Sequence, residues 1–205
     1  MADNFFSKYN CEEVIRSVYF FSDCDILANK LGVKEEKLLK SLEADLTNQR
    51  LLELSEKTLK GRFSVTHLKN IHKYVFQDIY PFAGKFRKED IWKGDTFFCK
   101  SQYIVLALDE LLSKLKHEKF LLGLDRTAFS ERAAYYMAEL NMIHPFREGN
   151  GRTIREYIRT LALKSKYVIN WSLIDSNRLL EASILSANKN FIPLSKCLFE
   201  SIDIG

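Results

Sequence analysis

Apolar residues recur at helical spacing through most of the 205-residue chain. Leu38/Leu39, Leu42 and Leu46 predict a helix over 34–57, and Leu68, Ile71, Val75 and Ile79 a second over 64–79. Ile104, Leu108, Leu111 and Leu115 predict a third over 101–116. Phe129, Ala133, Tyr136, Leu140 and Ile143 form a stripe over 127–143, and Ile154, Ile158 and Leu161 one over about 152–164. Leu179, Leu180 and Ile184 mark another helix, and Phe191, Leu194, Leu198 and Ile202 a last one over about 191–202. His67 and His72 lie off the centre of the second stripe and read as exposed or packing residues. The period breaks at 85–99, where aromatic and β-branched residues flank the turn Lys93-Gly94-Asp95; a two-stranded hairpin is expected there, with its outer edge offering unpaired backbone groups. Val14 to Phe21 is an apolar–aromatic packing piece, Gly32 a stop, and Tyr167 to Trp171 a short extended connection. No repeat or low-complexity linker interrupts the pattern, so one mostly helical domain, all-α in class, is expected over 1–205.

Composition changes this picture little. Lys plus Arg is 31 and Asp plus Glu 27, a formal charge of +4, too slight to argue for nucleic acid. Three prolines and eight glycines suit a helical bundle with short loops. Cys11, Cys24, Cys99 and Cys197 show no metal-ligand spacing and read as reduced thiols. No signal peptide and no membrane-length apolar run is visible, so a cytoplasmic location in a bacterium is expected, with export to a host left to a signal of another kind.

The chemistry concentrates in His144-Pro145-Phe146-Arg147-Glu148-Gly149-Asn150-Gly151-Arg152-Thr153-Ile154-Arg155. Pro145 ends the preceding helix at His144. Gly149 and Gly151 open backbone conformations closed to other residues and let a ligand approach the main chain. The first amides of the next helix point into the loop, which makes an anion site. Arg152 and Arg155 share a face of its first turn, and guanidinium groups match phosphate oxygens. Each feature alone has an ordinary structural use: a histidine before a helix-ending proline, a glycine turn, a solvated arginine pair. Together, and in this order, they read as a phosphate cradle with a histidine and a carboxylate at its rim. Zinc fits poorly, because His144 and Glu148 supply only two ligands.

The stretch resembles the signature of Fic (filamentation induced by cAMP) domain proteins, H-x-F-x-[D/E]-G-N-G-R-x-x-R, at every specified position. Asn29 to Gly32, Ile71-His72, Asp78 to Lys85 and the hairpin resemble that family too, so the likeness covers about 29–188, with 1–28 an N-terminal extension and 189–205 a C-terminal helix. Tyr135 to Asn141 running into His144 resembles the VbhT and Bartonella effector type. The resemblance implies the Fic fold, a helical bundle around a central helix–loop–helix with a β-hairpin flap. It implies transfer of AMP from ATP to a Ser, Thr or Tyr hydroxyl of a target protein. His144 would be the general base and Phe146 the anchor of the loop. Glu148 would hold Mg2+, and Gly149, Asn150, Gly151, Arg152 and Arg155 would bind the phosphates. Ile91, Trp92, Lys93, Gly94, Asp95 and Thr96 would be the target-binding flap. Transfer of phosphate, UMP or phosphocholine, and a degenerate binding domain, are the alternatives; the unaltered motif favours AMP.

Many proteins of that family are inhibited by a helix bearing [S/T]-x-x-x-E-[G/N], whose glutamate pairs with the second motif arginine, here Arg152. Only Thr127 and Glu131 have the spacing, and Arg132 follows them. Ser195 to Glu200 has the wrong spacing, and Ser41 to Asp45 the wrong acid. A toxin or effector held inactive by a separate antitoxin-like protein is therefore expected, with loss of an inhibitory helix by truncation the second explanation. No nucleic-acid or membrane partner is expected.

Overall fold

In the computed structural model, which describes residues 10–11 and 17–204, seven helices form where the apolar period predicts them. They are α1 (Glu36–Glu56), α2 (Val65–Phe76), α3 (Ile104–His117), α4 (Arg126–Ile143), α5 (Asn150–Lys164), α6 (Ser176–Ala187) and α7 (Ile192–Ser201). Short polar side chains start several of them, satisfying amides that have no partner inside the helix. Ser64 accepts from the His67 amide at 3.3 Å, and Asp125 from the Ala128 amide at 2.9 Å. Val14, Ile15 and Arg16 of the expected aromatic piece lie outside the described residues.

α4 is covered on several sides, since four neighbouring helices pack against it. Phe129, Tyr136, Leu140 and Ile143 are buried along it, with Ala133, Ala134 and Ala138 letting α3, α5, α6 and α7 approach closely. α5 lies against α4 and α2, so the loop between α4 and α5 opens from the middle of the bundle. Burying each large apolar side chain contributes about 1.5–3 kcal/mol, so the most heavily covered part of the chain is also the part that carries the motif. Among the described residues, no helix is long and apolar enough to cross a membrane. Cys24, Cys99 and Cys197 carry free thiols, and the Cys11 side chain lies outside the described residues.

The strands correct the expectation in two places. The hairpin forms from β2 (Ile91–Lys93) and β3 (Thr96–Phe97), but the outer edge of β2 is already paired with β1 (Asn10–Cys11), antiparallel, with Asn10 opposite Trp92 and Cys11 opposite Ile91. An isolated hairpin is marginal in water, and a third strand adds ladder hydrogen bonds. Tyr167 to Ile169 is a strand, β4, paired with β5 (Ile202–Ile204). Ile202, expected on the last helix, instead starts β5 opposite Ile169, and both are buried, a pairing that favours β-branched side chains.

A column of rings joins α2 to the motif loop. Phe82 packs edge-on to Tyr19 at 5.1 Å and flat on Tyr80 at 4.6 Å. Phe76 stacks on His72 at 4.7 Å, and His72 on Phe146 at 3.8 Å.

Candidate active site

His144 is the C-cap of α4, in the left-handed region at φ 49 and ψ 58. Its Nδ1 lies 2.9 Å from the Asn141 carbonyl. A carbonyl can only accept, so Nδ1 carries the proton and Nε2 holds the lone pair. The ring stacks on Phe98 at 3.8 Å. Burial first, with the charges of Arg87 and Lys93 adding, lowers its pKa to about 3, so the imidazole is neutral at any physiological pH.

The loop after it is fixed from below. Phe146 is fully buried and stacks on His72. The Asn150 side chain, expected to cradle phosphate oxygens, is used otherwise: its oxygen accepts the Phe146 amide at 2.9 Å and its nitrogen donates to the Phe146 carbonyl at 2.7 Å. Asn150 thus shapes the loop through both ends of its amide. His72 does the same from α2. Its Nδ1 accepts the Gly84 amide at 2.8 Å, so Nε2 donates to the Glu148 carbonyl at 3.0 Å. Its pKa is lowered to about 3, mainly by burial.

α5 begins at Gly149 with no side-chain cap. Gly149 has φ +79, and a Cβ there would lie 2.0 Å from Phe76 Cζ; at Gly151 a Cβ would meet nothing within 4 Å. The space in front of the first turn is therefore open at Gly151 and closed behind Gly149. Glu148 turns its Oε1 back to accept the Gly149 amide at 2.8 Å. Burial, then the charge of Glu43, raises its pKa to about 7. Arg155 has no hydrogen-bonding or acidic partner among the described residues; burial and the charge of Arg152 lower its pKa. A largely covered arginine without an acid, beside an uncapped helix N-terminus, has the electrostatics to hold an anion.

Arg152 is engaged. Its Nη1 donates to Thr47 Oγ1 at 2.9 Å, and its Nη2 pairs with Glu43, whose other oxygen accepts from the Tyr80 hydroxyl. The guanidinium also lies over the Phe76 ring at 4.7 Å. Glu43 carries Leu39 four residues before it and Ala44 after it, so no search for the inhibitory motif finds it. His72 escaped as well, because a histidine off the centre of an apolar stripe carries no signal of its tautomer. The Ile71-His72 pair was the one hint.

Of the flap residues, Lys93 is the one whose charge reaches the site, acting on both Glu148 and His144; burial lowers its own pKa. Ile91 is buried and can offer only backbone, Trp92 stacks on Phe97 at 5.6 Å, and Gly94 turns the hairpin at φ +55 toward Asp95 and Thr96.

The two depressed histidines make the fold acid-labile. Their folded pKa values, about 3, lie below the unfolded value near 6.5, so the folded state resists protonation. Stability is full above pH 6.5 and falls as pH drops toward 3, by about 1.4 kcal/mol per pH unit from each ring. NMR titration is expected to show both rings neutral at pH 5; two rings titrating near 6.5 would contradict this.

The Fic/DOC family pattern matches residues 62–162. The protein adenylyltransferase VbhT of Bartonella schoenbuchensis is 40% identical over 168 residues, 82% of this chain and 35% of VbhT, so the chain spans about a third of that relative's length. Fic of Escherichia coli, named a probable protein adenylyltransferase, is 34% identical over 160 residues, 78% of this chain and 79% of that protein. Among solved structures, the N-terminal Fic domain of a VirB-translocated Bep effector protein from Bartonella quintana, with bound ADP, superposes with a TM-score of 0.84 at 27% identity, covering 91% of this chain and 94% of that one. With the family pattern over residues 62–162 and a relative 40% identical over 82% of this chain, the protein belongs to the Fic/DOC family.

Proposed function

We propose that this chain is a protein adenylyltransferase that moves AMP from ATP to a hydroxyl of a target protein. The observation that carries the reading is the uncapped N-terminus of α5 beside the acid-free Arg155, with the neutral His144 at its rim. The amides of the first turn, Arg152 and Arg155 would bind the triphosphate. The target oxygen would attack the α-phosphorus, and the bond from that phosphorus to the β-phosphate oxygen would break, releasing pyrophosphate. The hydroxyl proton would go to His144 Nε2. Burial makes that imidazolium costly, and the adjacent negative phosphates would offset the cost.

Glu148 fits a hard cation. Its carboxyl is held near 7 by burial and Glu43, an expense a bound cation would relieve. Among the described residues no cluster of three or more His, Cys, Asp or Glu offers a metal site. Mg2+ held by Glu148 and phosphate oxygens, the usual mixed set for this ion, would neutralise phosphate charge.

A target strand would take the β3 edge of the flap or displace Asn10–Cys11 from β2. A bacterial target would make the chain a toxin, and a host target a translocated effector. The test uses ATP labelled at the α or γ phosphate, with Mg2+, in bacterial and host lysates. Label from the α position is expected on a protein band; label only from γ would overturn AMP transfer and favour phosphate transfer.

Inhibition by a small antitoxin-like protein in trans belongs to the same proposal, but Glu43 adds a brake within the chain. It cancels the charge of the arginine that should meet the triphosphate. Glu43→Gln removes the charge while its amide oxygen still accepts from Arg152 and its NH2 can donate to the Tyr80 hydroxyl oxygen. It is expected to tighten ATP binding roughly tenfold and leave AMP binding unchanged. Calorimetry showing equal ATP affinity would leave the trans partner as the sole brake.

A further inference from the structure

The end of α4 accounts for every carbonyl from Leu140 to Pro145. Leu140 O accepts the His144 amide at 3.0 Å, Asn141 O the His144 ring at 2.9 Å, and Met142 O the Cys99 amide at 3.0 Å. The other three belong to one residue. Arg87 donates Nη2 to Ile143 O at 3.3 Å, Nε to His144 O at 2.8 Å, and its backbone amide to Pro145 O at 2.9 Å. The same guanidinium donates Nη1 to Glu89 O at 2.6 Å and Nη2 to Cys99 O. Glu89 and Cys99 stand just outside β2 and β3, one on each leg of the flap. Arg87 is 2% exposed.

The last carbonyls of a helix lack partners inside it, and a cation there also meets the negative end of the helix dipole. Holding His144 at positive φ costs energy for a residue with a side chain, and its own carbonyl is what Arg87 grips. We propose that Arg87 is a positioning residue: it fixes His144 in its left-handed conformation and ties both legs of the flap to it, so that base and flap move as one body. The catalytic half of this statement rests on His144 being the base. The rigid fork matters more than the charge, because one ammonium on a flexible stem cannot reach carbonyls on three segments.

The test is Arg87→Lys and Arg87→Gln in the full chain, with four readings: the His144 ring nitrogen shifts, amide exchange at Cys99, ATP affinity, and AMP transfer. Both variants are expected to speed Cys99 exchange about tenfold or more and to shift the His144 ring from a single tautomer to a mixture. Turnover is expected to fall about 100-fold with ATP affinity unchanged. Wild-type ring shifts and exchange would overturn the proposal, and so would a loss of ATP affinity in step with turnover, which would mean the fold had failed. The ring and exchange readings need no transfer reaction. A wild-type protein that never transfers AMP would defeat the adenylyltransferase reading and leave these two readings to judge Arg87.

Discussion

His144→Ala is expected to lower AMP transfer by about 10²- to 10⁴-fold, the range of a lost general base, with ATP affinity unchanged. The two effects separate because the proposed phosphate cradle is built on α5 and its amides, whereas His144 sits at the end of α4. The same variant should be less sensitive to acid than the parent. The buried ring resists protonation down to about pH 3, so removing it removes one source of instability between pH 6.5 and 3. Undiminished transfer would exclude His144 as the base, and a lost ATP response would show that the alanine had disturbed the loop.

Gly149→Ala is expected to be the most damaging small substitution in the site. Its Cβ would stand 2.0 Å from Phe76 Cζ and 2.3 Å from Cε2, in a residue that must also keep φ +79. Overpacking against a buried ring and a left-handed alanine together cost about 3 kcal/mol or more. Thermal unfolding should show a midpoint about 10 °C lower. Gly151→Ala supplies the contrast. Nothing lies within 4 Å of its added methyl, so the fold should be unharmed, while the methyl would enter the space the proposed phosphate site uses. Equal melting of Gly149→Ala and the parent would mean that Phe76 yields more readily than its packing suggests.

The helices and the motif were legible because both are local. Helical period is written into residues three and four apart, and twelve consecutive residues from His144 to Arg155 hold most of the proposed chemistry. What escaped reading depends on contacts distant in sequence. Glu43 reaches Arg152 across 109 residues, Arg87 reaches His144 across 57, and His72 reaches Glu148 across 76. Each looks ordinary where it stands: a charged residue on a helix face, an arginine before a hairpin, a histidine beside an apolar stripe. The pairing of Asn10–Cys11 with the flap was hidden for the same reason, since two residues carry no period. Asn150 illustrates the same limit on local reading: its position in the motif is visible in the sequence, but its side chain's pairing with the Phe146 backbone is a matter of the folded loop.

The ring column running from Tyr19 through Phe82 and His72 to Phe146 has a consequence for access. A loop pinned by stacked rings, with the Phe76 ring of that column filling the space behind Gly149, has no low-energy way to swing aside. Any opening that admits a nucleotide would then fall to the hairpin tip, beyond the two legs that Arg87 holds. Amide protons of the loop should exchange only when the whole molecule opens, while those of the hairpin tip escape far sooner.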